Sequence, residues 1–154
     1  MFPNRVYIDA NLLVHLELGT TGKDLIAKHR RLRTFEIADY ERLVRLINET
    51  DRVLVTPNIL TEASNLLAQH AEPERSHIFD TLRTLIREAE ETVVTSRVAA
   101  DNSAFNRLGL TDAALLEVVS KANPLITVDL DLYLAASAKE SEAAFNFRHY
   151  QFRS

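Results

Sequence analysis

Short apolar segments alternate along this chain with longer segments whose apolar residues recur at helical spacing. This alternation is typical of an α/β domain, in which right-handed crossovers place helices on both faces of a mainly parallel sheet. The predicted strands are residues 6–8, 53–55, 92–94, 125–128 and 143–147, and the main predicted helices are residues 12–18, 40–47, 58–69, 74–90, 111–122 and 130–139. Ligands of such sheets bind beyond the carboxyl ends of the strands, so polar residues that directly follow a strand are the first candidates for a functional site.

Smaller features mark the ends of the predicted helices. Ser96 is predicted to cap the helix that follows the third strand, and Gly109 is predicted to break that helix. Residues 149–154, HYQFRS, have the composition of a frayed tail.

Composition limits the classes to which the protein can belong. A length of 154 residues with 46% hydrophobic content predicts a single domain over residues 1–154 with a sizeable core. No apolar run approaches the roughly 18 residues of a membrane span, and the first residues lack the design of a signal peptide, so a cytoplasmic location is expected. The absence of cysteine excludes disulfides and cysteine zinc sites. A net charge of -4 argues against nucleic-acid binding through bulk positive charge, but not against catalysis on nucleic acid.

Four acidic residues occupy positions where packing alone does not call for a charge. They are Asp9 after VYI, Glu62 within ILTEASNLL, Asp112 at the start of TDAALLEVV, and Asp129 after LITV. Asp9 and Asp129 both follow strands, so they are predicted to lie at the same edge of the sheet. Two carboxylates about 4 Å apart repel by about 4 kcal/mol at an effective dielectric near 20, so such a cluster calls for a cation or a shared proton.

Each of these acids also has a purely structural interpretation. Asp112 and Asp129 occupy positions of helix caps or first-turn acids, which the helix dipole favours. Asp112 nevertheless points with the apolar face of its helix, which capping does not require. Glu62 lies at the margin of an apolar stripe, where an extended glutamate is unremarkable. The four acids taken together are more informative than any one of them.

Four motifs follow one another in the chain: YIDANLLVHL, ILTEASNLL, LGLTDAALLEVV and LITVDLDLYLAA. Their order and spacing resemble those of the PIN domain family from residue 6 to about residue 147. PIN domains are metal-dependent ribonucleases, and many small ones are VapC-type toxins of toxin–antitoxin pairs. The resemblance therefore implies a PIN-like fold, an RNA substrate, a homodimer and a small antitoxin protein that covers the site.

The resemblance also assigns roles to the four acids. It implies that Asp9 and Asp112 are primary metal ligands and that Glu62 and Asp129 complete the catalytic site. Oxygen ligands without histidine or cysteine favour Mg²⁺ or Mn²⁺, as one or two ions. The implied reaction is metal-assisted hydrolysis of an RNA phosphodiester bond.

Three further polar residues near these motifs are weaker candidates. Asn11 and Thr127 are placed to orient the acids or the scissile phosphate, although ordinary capping or turn hydrogen bonds explain them equally well. Asp131 is a candidate ligand in a first helical turn, where an acid is more often present for the helix dipole.

A charged segment, residues 23–40, departs from the pattern of a minimal toxin. Its basic run KHRRLR supplies the candidate contacts to RNA backbone, Lys28, Arg30, Arg31 and Arg33. A solvated helix face is the more common role for such a run.

Two other functions compete with the ribonuclease hypothesis. One is a metal-dependent phosphatase-type α/β enzyme with Asp9 as its nucleophile, although a convincing lysine partner is missing. The other is a non-catalytic PIN-like interaction module, for which loss of metal binding would be diagnostic. The chain has only three glycines and no GxGxxG, P-loop or GxSxG motif, so nucleotide cradles and serine-hydrolase elbows have little support.

Overall fold

A computed structural model of the protein describes residues 2–28 and 35–151. The strands are β1 Arg5–Ile8, β2 Arg52–Val55, β3 Glu90–Glu91, β4 Leu125–Thr127 and β5 Ala144–Asn146. The helices are α1 Ala10–Thr21, α2 Asp24–Lys28, α3 Ile37–Asn48, α4 Pro57–Leu67, α5 Glu74–Glu88, α6 Ser96–Ala100, α7 Phe105–Leu108, α8 Leu110–Val118, α9 Leu130–Lys139 and α10 Arg148–Gln151. The segments predicted as helices are helical, with ends that differ from the prediction by a few residues.

The strands form one parallel sheet in the order β3-β2-β1-β4-β5. The chain proceeds outward from β1 to β2 and β3, then returns to the other side of β1 for β4 and β5. Right-handed crossovers in opposite directions lay their helices on opposite faces of a sheet. The prediction of an α/β fold with a mainly parallel sheet is confirmed. The direction in which successive strands are added reverses between β1 and β4, which makes this position a topological switch point. A crevice forms at such a point, beyond the carboxyl ends of the two strands.

Helix α1 lies at the centre of the core, where it contacts α2, α3, α4 and α5. Its leucines face several directions and are all buried, including Leu12, Leu13 and Leu18, each with no exposed surface. Burial on all sides requires an apolar surface all round, which explains why α1 lacks a single apolar stripe. In the described part of the chain, no helix is both long and apolar enough to cross a membrane.

The third strand was predicted at residues 92–94, but in the structure it precedes them in the chain. β3 consists of Glu90 and Glu91, which pair with Leu54 and Val55 at the outer edge of β2. Both glutamates are exposed, so backbone hydrogen bonds rather than apolar side chains hold this strand. An edge strand of two acids carries no apolar pattern, and the prediction was therefore wrong at this position.

Two helix ends also differ from the prediction. Thr95, not Ser96, caps α6, because its side chain accepts a hydrogen bond from the Val98 N–H at 3.3 Å. The tail predicted for residues 149–154 instead begins with α10, where the Arg148 N–H donates to the Asn146 side chain at 3.0 Å. Residues 152–154 lie outside the described residues.

Candidate active site

Asp9 joins β1 to α1 at the carboxyl edge of the sheet, and its side chain is only 4% exposed. As the N-cap of α1, it accepts a hydrogen bond on Oδ1 from the Leu12 N–H at 2.8 Å. Its Oδ2 accepts from the Val128 N–H at 3.2 Å and from the Thr127 hydroxyl. Donors from α1 and from the end of β4 therefore fix both carboxylate oxygens across the switch point.

The charge of Asp9 is costly at this position. The pKa of the Asp9 carboxyl is raised to about 6, mainly by burial and to a smaller extent by the neighbouring charge of Asp129. The hydrogen bonds from Thr127, Leu12 and Val128 favour the ionised form. Asp9 is therefore mainly ionised above neutral pH, and a cation beside it would lower its pKa.

Thr127 links two of the four acids. Its hydroxyl donates to Asp9, and its oxygen accepts from the Asp129 N–H at 3.0 Å. Asp129 in turn caps α9 by accepting from the Leu132 N–H at 3.1 Å. Thr127 has no exposed surface, so its hydroxyl orients the Asp9 carboxylate from within the core.

Asp112 lies in the first turn of α8, which begins directly after Gly109. Gly109 has a φ of 90° and a ψ of 179°, a conformation that a residue with a side chain adopts only under strain. Burial is the main cause that raises the pKa of the Asp112 carboxyl to about 7, and the charges of Asp129, Glu62 and Asp9 contribute to this increase in this order. The structure thus brings all four predicted acids close enough to interact, with Asp112 receiving the repulsion of the other three.

The remaining candidates in this region are more exposed. Glu62 lies on the exposed side of α4 and lines a groove of about 740 Å³ between α4 and the start of α8. The groove also presents uncharged hydrogen-bonding side chains, among them Asn58 and Asn65. Asn11 is partly buried in the first turn of α1, and Asp131 is exposed in the first turn of α9.

The basic candidates are mostly outside the described residues, which do not include Arg30, Arg31 or Arg33. Lys28 ends α2, and its ammonium group lies 3.0 Å from the Glu74 carboxylate. Glu74 raises the pKa of Lys28 through this ion pair. A contact of Lys28 with RNA would have to compete with its ion pair to Glu74. The predicted contacts of Arg30, Arg31 and Arg33 with RNA backbone stay predictions.

The donor set of the site fits a hard divalent cation, because every candidate ligand is a carboxylate. A cation would also relieve the repulsion that raises the pKa of Asp112. Among the residues that the structure describes, no group of three or more acidic or histidine side chains is already arranged to hold a metal ion. The support for a metal is therefore the charge and chemistry of the acids, not a formed ligand cage.

No protein-family model matches this chain, and no curated protein matches it. The resemblance to PIN domains consequently depends on the four motifs and on where the fold places their acids.

One contributor to the site has no signal in the sequence. The backbone N–H of Val128 holds Asp9, but any residue other than proline supplies this donor, so its identity carries no information. Thr127, in contrast, was detectable as a polar residue at the end of an otherwise apolar strand. Pairing of β1 with β4 brings both donors to Asp9.

Proposed function

We propose that this protein is a metal-dependent endoribonuclease of the PIN-domain type, which hydrolyses RNA phosphodiester bonds. The observation that carries the proposal is that the charges of Asp129, Glu62 and Asp9 all raise the pKa of the buried Asp112 carboxyl, beside the switch point of a parallel sheet. Carboxyl pKa values raised by burial and by like charges, in a crevice, are typical of functional sites. The same four acids belong to the four sequence motifs that resemble PIN domains.

In the proposed mechanism, Asp9 and Asp112 are the main ligands of Mg²⁺ or Mn²⁺, and Glu62 and Asp129 complete the site. The ion supplies Lewis-acid activation of water and of the phosphate when it is bound. The chain itself contributes orientation, because the Leu12 N–H, the Val128 N–H and the Thr127 hydroxyl hold Asp9 before any substrate arrives. Without a cation, the Asp112 carboxyl exchanges a proton with solvent near neutral pH.

The burial of Asp9 bears on the phosphatase alternative. A nucleophilic aspartate needs an oxygen that can reach the substrate, whereas Asp9 is 4% exposed and both its oxygens accept hydrogen bonds. The hydrogen bonds also fix the orientation of the carboxylate, and Oδ1, which accepts a hydrogen bond from the Leu12 N–H, keeps a second lone pair for a cation.

The finer assignments belong to the same proposal. A toxin role, a homodimer and a small antitoxin partner rest on the resemblance, whereas a cytoplasmic location is the expectation from the sequence composition. Helix α9 offers a surface for a protein partner, since Leu130 and Leu134 are 59% and 53% exposed next to the acidic site.

Cleavage of purified tRNA and ribosomal RNA tests the function. With Mg²⁺ or Mn²⁺ the protein is expected to give discrete products, and chelator is expected to remove them. Asp9→Asn should reduce the cleavage rate by on the order of 100-fold, the typical effect of losing one electrostatic stabiliser of a transition state. Asparagine still caps helices well, so α1 should form in this variant.

Glu117→Gln is the matched control, because Glu117 is an exposed acid on α8 outside the proposed site. Equal cleavage by the wild type and Asp9→Asn would mean a contaminating nuclease or a wrong site. Folded protein that binds Mn²⁺ but cleaves none of these RNAs would point to a more selective substrate, and folded protein that does neither would support the non-catalytic module.

A further inference from the structure

A cavity of about 490 Å³ lies at the opposite edge of the sheet from the four acids. Its walls include Asp51, which directly precedes β2, and Ala89, which directly precedes β3. Residues that precede parallel strands lie at the amino edge of the sheet, whereas the acids lie at the carboxyl edge. This amino-edge cavity is therefore separate from the candidate active site, and its volume is within the range of roughly 300–1,000 Å³ that is usual for small-molecule sites.

Glu17 of α1 lines the amino-edge cavity and is only 2% exposed. Its Oε2 is buried, and no residue in the described part of the chain forms a hydrogen bond with that atom. Burial raises the pKa of the Glu17 carboxyl to about 7. A buried carboxylate oxygen without a partner is rare in folded proteins, because the lost hydration is not replaced.

The other polar side chains of the cavity wall have no proton left to donate to a ligand. Four threonines line the cavity, and each donates its single hydroxyl proton to a backbone carbonyl: Thr20 to Leu16, Thr50 to Asn4, Thr81 to His77 and Thr84 to Asp80. Each can therefore offer only lone pairs to a ligand. The remaining polar lining residues are the acids Asp51 and Glu88.

The rest of the wall is aliphatic. Leu16, Ile47, Val53, Leu85 and Ala89 complete the lining, and none of the described lining residues is a lysine, arginine, histidine, asparagine or glutamine. An anion would find no cationic partner here. A strongly hydrated Mg²⁺ ion would have to lie against apolar side chains, which suits it poorly because it usually keeps several waters.

We propose that the amino-edge cavity binds a small aliphatic cation, whose ammonium or guanidinium N–H groups donate to Glu17 and to the threonine oxygens. Its hydrocarbon part lies against Leu16, Ile47 and Leu85. Such a ligand supplies both things that this cavity lacks, which are hydrogen-bond donors and positive charge. The site is independent of the proposed ribonuclease activity, since it uses none of the same residues.

Agmatine, which carries a guanidinium group and an ammonium group at the two ends of a butyl chain, is a suitable probe. We expect it to shift the methyl NMR signals of Leu16, Ile47 and Leu85 saturably at pH 8, where Glu17 is ionised. In Glu17→Gln the affinity should fall at least about tenfold, the usual effect of losing a hydrogen bond to a charged group. The control variant Glu117→Gln, which removes an exposed acid outside the cavity, should bind agmatine with the same affinity as the wild type.

Two further probes separate hydrogen bonding from simple charge or hydrophobicity. Pentane-1,5-bis(trimethylammonium) has both charges but no N–H donor, and 1-pentanol has the chain without the charge; both are expected to bind at least about tenfold more weakly than agmatine. Thermal unfolding of Glu17→Gln checks that the variant is folded. The proposal is overturned if agmatine causes no saturable shifts in the wild type, if Glu17→Gln binds it equally well, or if either of the other two probes binds as tightly.

Discussion

Replacing Asp112 with asparagine is expected to slow metal-dependent RNA cleavage strongly and, without divalent cations, to make the protein more stable at pH 8. The pKa of Asp112 is about 7 in the folded protein against an ordinary value of 3.8. An acid with a raised folded pKa lowers the free energy of unfolding progressively as pH rises from about 4 to about 7, and the whole penalty is present above that range. Asparagine has the same shape and removes the penalty.

The expected sizes follow from the surroundings of Asp112. Its side chain is only partly buried, so solvent screening reduces the stability gain to about 1–2 kcal/mol at pH 8. The cleavage rate should fall by on the order of 100-fold to 1,000-fold, as for removal of other electrostatic stabilisers. Chemical denaturation in the presence of chelator at pH 4 and pH 8 measures the gain in stability, and a cleavage assay measures the loss of rate.

Glu117→Gln tests whether these effects are specific, because it removes an exposed charge from the same helix. It should change neither the pH dependence of unfolding nor the cleavage rate by much. If Asp112→Asn is as active as the wild type, Asp112 is not a ligand. If it is less stable at pH 8, repulsion among the four acids does not operate as described.

Glu17→Gln is expected to stabilise the protein at pH 8 and to leave its stability near pH 4 almost unchanged. The folded pKa of Glu17 is about 7 against an ordinary 4.5. The wild type therefore loses stability as pH rises between these two values, since the unfolded chain releases the Glu17 proton first. The full pKa shift of Glu17 corresponds to about 3 kcal/mol in the free energy of unfolding. We expect Glu17→Gln to be more stable than the wild type at pH 8 by about 1–3 kcal/mol, which is several degrees in Tm.

Unfolding of the wild type and Glu17→Gln across pH 4–8 measures this difference directly. RNA cleavage should be the same in both proteins, because Glu17 lies at the other edge of the sheet. A constant stability difference at all pH values would show that Glu17 does not titrate as a buried acid. A less stable variant at pH 8 would show that the Glu17 carboxylate has a stabilising partner.

The fold was predictable from sequence where strands are apolar and helix starts are marked by polar caps. β4 and α9 agree closely with the prediction, because LITV is a clear apolar strand and Asp129 is a strong cap. β3 was not predictable, since its two glutamates give no apolar pattern and only pairing with β2 makes them a strand.

The candidate site was predictable in part for a similar reason. Asp9 and Asp129 follow apolar strands, so the rule for parallel sheets places them together. The proximity of Glu62 and Asp112 to them depends on how α4 and α8 pack, which local periodicity does not encode; only the resemblance indicated it. Glu17 gave no signal, because α1 is apolar on all sides and a single glutamate in LLVHLELG suggests a solvent-facing position.

The central claim is that four acids form one divalent-cation site, and calorimetric titration with Mn²⁺ at pH 8 tests it most directly. The wild type and Glu117→Gln are predicted to bind one or two ions saturably. Asp112→Asn is predicted to bind at least about tenfold more weakly, because it loses one of the four proposed carboxylate ligands. Equal affinity in Asp112→Asn, or no saturable binding by the folded wild type, would contradict the claim.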